Sequence, residues 1–157
     1  MSKLSLKNPA TLTTTVMGVG LIKQAPGTWG ALVGVILSVL LMNLPYVRWG
    51  VVLIGFLLGL KMIPEMIKNQ SEKDPGYIVI DEFVAQMLIF CCLPVEVLNP
   101  IIFIFGFSFF RLFDILKPWP ASYYDQKVHN AFGIMMDDMV AAVYSVVALY
   151  AIVILSL

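Results

Sequence analysis

The chain has 157 residues, 60% of them hydrophobic, with a mean hydropathy of +0.90 and only 13% charged. A soluble domain carries about a quarter charged residues, and a chain this short cannot cover so much apolar surface by folding on itself, so lipid is its natural solvent. Ten basic and ten acidic residues cancel to zero net charge, which gives no reason to expect a nucleic acid partner.

The first fifteen residues are polar and show no cleavable signal. Gly18-Val19-Gly20 and Pro26-Gly27-Thr28-Trp29-Gly30 follow. Glycines let backbone amides approach a phosphate, and Thr28 is placed to cap the next helix, whose N-terminus attracts anions. The alternative is an interfacial turn with Trp29 as a membrane anchor. Five apolar segments come next, at about 30–44, 49–63, 78–98, 100–116 and 134–157. They predict an all-α, polytopic membrane bundle forming one domain over residues 1–157. The first two segments are short for a full span and could form a re-entrant hairpin around Asn43-Leu44-Pro45. Cys91 and Cys92 are adjacent in the third segment and read as buried thiols. Polar loops are expected at 64–77 and 117–133.

Alternating five spans sets both polar loops and the N-terminus on one side. Nine of the ten basic residues fall there: Lys3, Lys7, Lys23, Lys61, Lys68, Lys73, Arg111, Lys117 and Lys127. Only Arg48 falls opposite. Lysine and arginine favour the cytoplasmic side, so this is the expected cytoplasmic face.

The same alternation gathers carboxylates. Asp81 and Glu82 open the third segment, Asp114 closes the fourth, and Asp137 and Asp138 open the fifth. Charges at membrane depth are costly and face a bundle interior or a water-filled cavity. An oxygen-only donor set suits a hard cation such as Mg²⁺, which can bridge to phosphate. The competing explanation is that acids at helix starts only complement the dipole, which leaves Asp114, near a helix end, unexplained. Helical spacing puts Ala141, Ala142 and Ser145 on the face of Asp138, and Ala85, Gln86 and Ile89 on that of Glu82. Those two acids therefore rank slightly above Asp137 and Asp81. Arg111 and Lys117 flank Asp114 by three residues each way, suited to phosphate oxygens or to pairing with Asp114. His129, the sole histidine, is a proton shuttle or an ordinary loop residue. Gly27, Thr28 and Lys127 are further candidates for holding phosphate.

Together these residues form a specific pattern. Gly18-x-Gly20, Pro26-Gly27-Thr28-x-Gly30, Ile80-Asp81-Glu82-Phe83, Phe110-Arg111-x-Phe113-Asp114-x-x-Lys117-Pro118-Trp119-Pro120, His129 and Gly133-Ile134-Met135-Met136-Asp137-Asp138 stand in order. The chain resembles the phosphatidylglycerophosphatase A family from about Gly18 to Ala142. It departs at Ile22-Lys23, where many members have Ser-Pro. The resemblance implies a bacterial inner-membrane enzyme that hydrolyses phosphatidylglycerophosphate to phosphatidylglycerol and needs Mg²⁺. It carries Arg111, Lys117, His129 and the five acids over as site residues. The attacking group is expected to be water activated by metal or carboxylate, with a covalent aspartyl or histidyl intermediate as the alternative.

Two other classes compete. Another membrane phospholipid enzyme should show a different signature: Asp-x-x-Asp-Gly-x-x-Ala-Arg for a CDP-alcohol phosphotransferase, or a second histidine motif for a histidine phosphatase. Neither is present. A small Mg²⁺ transporter should have polar residues at mid-span. The segment centres near Ile36, Ile54, Phe105 and Val147 are apolar, with Ser38, Ser108 and Ser145 as exceptions.

Overall fold

The computed structural model describes residues 4–68 and 75–155. Lys3, Lys73 and the centre of the first polar loop lie outside them. Seven α-helices and no strands form among the described residues: α1 (Pro9–Thr14), α2 (Pro26–Leu40), α3 (Pro45–Ile67), α4 (Ile80–Cys91), α5 (Pro100–Leu116), α6 (Ala121–Lys127) and α7 (Ala131–Leu155).

Local sequence sets most of the starts. α1, α2, α3 and α5 each begin on a proline, whose fixed φ and missing N–H suit the first helical position. Asn8 caps α1 by accepting from the Ala10 N–H at 2.8 Å, and Asn99 caps α5 by accepting from Ile101 and Ile102. Asn130 accepts from Gly133 N–H at 3.0 Å in the first turn of α7. Thr28 does not cap α2: the helix starts two residues earlier, with Ala25 in the left-handed region at its N-cap.

α4 is the central helix. It packs against α2, α3, α5 and α7, and most of its residues are buried. Close packing of backbones accompanies this arrangement. α2 supplies it with a buried stripe of Gly27, Gly30, Gly34 and Ser38. A Cβ on Gly34 would stand 2.8 Å from the Phe83 carbonyl oxygen, and one on Gly30 would stand 2.9 Å from that of Val79. Only glycine lets the backbones come this close. The approach sets the first turns of α2 and α4 side by side. The Val79 N–H also donates to the Thr14 carbonyl at 2.9 Å, fixing the start of α4 to the end of α1.

Several expectations change. The third apolar segment is helical only to Cys91, and 95–97 is a single 3-10 turn. The helix of the second segment runs through Pro64 to Ile67, shortening the first polar loop. The second polar loop contains α6. Two helices, Pro45–Ile67 and Ala131–Ile154, are long and apolar enough to cross a membrane by length and composition. Arg48 is not a charge on the opposite surface. It is 1% exposed and donates from Nη1 to the Phe90 carbonyl at 2.8 Å, in the last turn of α4. The Tyr150 hydroxyl donates to the Cys92 carbonyl, also at 2.8 Å. Carbonyls at a helix end have no partner in their own helix, and a buried one needs a donor from elsewhere. A cation there also complements the helix dipole.

Candidate active site

The first turn of α4 carries Asp81 and Glu82, and the second turn of α7 carries Asp138. Each offers a carboxylate oxygen, and the three atoms lie within 4.8 Å of one another. Asp81 and Asp138 are buried, and Glu82 is half-buried. Asp138 shares a hydrogen bond with Asp114, near the end of α5, and is also close to the charges of Asp81 and Asp137. Three helix ends therefore bring four acids together, with Asp137 at the edge. The Asp138 Oδ2 atom is buried with no hydrogen-bond partner among the described residues. An oxygen-only donor set with an unpartnered carboxylate oxygen fits a hard divalent cation.

Basic groups border the acids in two distinct ways. Arg111 pairs with Asp114, Nη1 to Oδ2 at 2.5 Å. A Cβ on Gly27 would fall on Glu82 Oε1 and lie 3.4 Å from Arg111 Nη1. The first turn of α2, Glu82 and Arg111 thus converge where only a glycine fits. Lys117 faces elsewhere. α5 ends at Leu116, and Lys117 turns into the left-handed region at φ 43°. Its ammonium meets Asp137 at 2.5 Å and Asp125 of α6 at 2.7 Å. Burial pushes the Lys117 ammonium down, but Asp137 and Asp125 outweigh it and hold its pKa above the ordinary lysine value. The Tyr144 hydroxyl of α7 donates to the Trp119 carbonyl at 2.7 Å, securing the turn that follows.

The three-residue spacing would put Arg111, Asp114 and Lys117 near one helix face only if the helix continued, and it stops at Leu116. The adjacent Asp137 and Asp138 diverge, one to Lys117 and the other to the carboxylate group. Thr28 is half-buried in the first turn of α2. His129 and Lys127 are exposed, in the turn before α7 and at the end of α6, and His129 is not part of the carboxylate group. Asp125 escaped the sequence reading. It lies eight residues after Lys117 in a stretch that reads as a loop, and nothing local marks it as a partner.

Comparison with known proteins decides what such a site belongs to. The model of the family described as phosphatidylglycerophosphatase A matches residues 12–153. The chain belongs to the phosphatidylglycerophosphatase A family. It is 42% identical over 154 residues to "Phosphatidylglycerophosphatase A" of Haemophilus influenzae, covering 97% of this chain and 93% of the relative. It is 36% identical over 152 residues to the protein of the same name from Escherichia coli, covering 96% and 87%. It is also 32% identical over 151 residues to a "Putative phosphatidylinositol-3-phosphatase" of Bacteroides thetaiotaomicron, covering 89% and 92%. No solved structure matches. The family's match covers every candidate site residue, from Gly27 to Asp138.

Proposed function

We propose that this protein removes the terminal phosphate of phosphatidylglycerophosphate, releasing phosphatidylglycerol and phosphate, with Mg²⁺ as cofactor at the cytoplasmic face of a bacterial inner membrane. The observation that carries the reading is the convergence of Asp81, Glu82 and Asp138 beside Arg111 and the first turn of α2, in a chain of this family.

Asp81, Glu82 and Asp138 would hold the ion, with Asp114 next to them. When bound, Mg²⁺ supplies charge neutralisation between carboxylates and phosphate, and Lewis acidity. The remaining work falls to the chain. Arg111 presents a planar fork to phosphate oxygens and stabilises the charge that spreads over them as the phosphoryl group transfers. Asp114 holds that fork in place. Backbone amides at the start of α2, beside Gly27 and Thr28, favour an anion. A carboxylate of the group takes the proton of the attacking water. Lys117 orients Asp137, Lys127 lies at the outer edge, where its charge attracts an anionic head, and His129 stands in the turn before α7 as a candidate catalytic group.

The five apolar helices α2, α3, α4, α5 and α7 form the membrane bundle in this reading. α4, with 12 residues, rises about 18 Å and α2, with 15, about 22 Å, less than the roughly 30 Å of a bilayer core. α4 lies between α2, α3, α5 and α7, while α2 packs on α4 and α5.

The test is phosphate release from phosphatidylglycerophosphate by purified protein in detergent. Activity should vanish in EDTA and return with Mg²⁺, with Ca²⁺ a poor substitute because of its larger, looser coordination. Full turnover after exhaustive chelation would sink the metal assignment. A parallel assay on phosphatidylinositol 3-phosphate tests the activity named for the Bacteroides relative. Faster turnover of that lipid would displace the proposed substrate.

A further inference from the structure

α2 and α5 run antiparallel, and one seam between them joins two features. On α2, Thr28, Val35 and Val39 recur at helical spacing, with Met42 in the turn beyond. On α5, Arg111, Phe107, Ile104 and Pro100 recur in the same way. At one end the two helices approach each other at the candidate site, where a Cβ on Gly27, the neighbour of Thr28, would stand 3.4 Å from Arg111 Nη1. In the middle, Val35 and Phe107 pack in one apolar cluster. At the other end, Val39, Met42, Leu98, Pro100, Phe103 and Ile104 line an apolar groove of about 510 Å³.

The depth of that groove is informative. Ile104 lies about 10 Å from Arg111 along α5, and Val39 about 16 Å from Thr28 along α2. One leaflet of hydrocarbon is about 15 Å deep, half the bilayer core. A lipid whose head occupies the site therefore brings the far part of its tails to this groove. Apolar grooves among the described residues also open between α1, α3 and α4 and between α3 and α7, and these do not involve α5, which carries Arg111.

We propose that the α2–α5 groove holds one acyl chain of the lipid substrate while its phosphorylated head lies at the carboxylates, a reading that rests on the phosphatase assignment. The chain then selects substrates by tail length as well as by head. Holding the tail along the same helix pair that bears Thr28 and Arg111 fixes the position of the head, since both ends of the lipid rest on one rigid seam.

The experiment compares dihexanoyl with dipalmitoyl phosphatidylglycerophosphate in mixed micelles. Ile104→Trp and Val39→Trp fill the groove, and both positions are exposed enough to accept the ring. Val147→Trp, exposed on α7, is the control. The ratio of kcat/KM for the long over the short substrate should fall about tenfold in the groove variants and stay unchanged in the control. A dipalmitoyl analogue with a photoreactive group in its tail should crosslink to Phe103 or Ile104 in unmodified protein. Equal effects on both chain lengths, or crosslinks only on α3 and α7, would overturn the proposal. Crosslinking needs no turnover, so a protein that labels at Ile104 yet hydrolyses neither lipid would defeat the phosphatase reading and leave the groove as a lipid site.

Discussion

Asp138 lies one residue beyond Asp137 on α7, and the 100° turn between them sends the two carboxylates to different neighbours. Asp137 meets Lys117, while Asp138 joins Asp81, Glu82 and Asp114. Their conservative variants should therefore separate. Asp138→Asn should weaken Mg²⁺ binding and lower turnover on the order of 100-fold, with partial recovery at raised Mg²⁺. Asp137→Asn should keep its Mg²⁺ response and instead lose stability, about 1 kcal/mol, because the half-buried Lys117 ammonium exchanges a carboxylate partner for a neutral amide. A Mg²⁺ titration of turnover, paired with thermal unfolding in detergent, reads both effects. Arg111→Lys keeps the charge but loses the fork, so turnover should fall on the order of 100-fold at every Mg²⁺ concentration. A nearly silent Arg111→Lys would reduce Arg111 to a structural partner of Asp114.

Helices hold these groups in place through contacts far from the chemistry. α4 brings Asp81 and Glu82 to the site, and its opposite end is secured by Arg48 and Tyr150, which donate to the Phe90 and Cys92 carbonyls. Arg48→Met should cost about 1–3 kcal/mol by leaving a buried carbonyl without its donor, whereas Arg48→Lys should retain part of the effect. Two glycines test the helix packing in opposite directions. A Cβ on Gly34 meets the Phe83 carbonyl, while a Cβ on Gly50 meets nothing within 4 Å. Gly34→Leu should destabilise by about 1–3 kcal/mol through overpacking against α4. Gly50→Ala should stabilise by about 0.5–1 kcal/mol, because the helix loses glycine's conformational freedom at no steric cost. Thermal unfolding of the four variants in one detergent is the measurement. Equal shifts for Gly34 and Gly50 would contradict the close α2–α4 contact.

The whole molecule presents its basic residues unevenly. Once Arg48 is removed to the interior, Lys7, Lys23, Lys61, Lys68 and Lys127 are exposed residues of the side assigned to the cytoplasm. That asymmetry predicts orientation. A cysteine at Lys68, in a protein lacking Cys91 and Cys92, should be protected from impermeant thiol reagents in intact cells and react in inverted vesicles. The reverse pattern would place the site on the outer face.

The sequence by itself determined the helical class, the rough places of the apolar helices and the residues from which the site is drawn. These follow from local signals, the length and spacing of apolar runs and the motif residues themselves, whereas the Asn8 and Asn99 caps and the short helices α1 and α6 came only with the structure. The tertiary structure alone decided which charges meet. Lys117 reaches Asp125 and Asp137 because α5 ends in a left-handed turn and α6 folds back over α7, which a three-residue spacing to Asp114 could not reveal. Arg48 became an interior cap because α4 stops at Cys91, short of a full span, and its carbonyls need donors from neighbouring helices. Hydrogen bonds and ion pairs between distant segments depend on helix ends and close approach to within an ångström, and periodicity carries no such information.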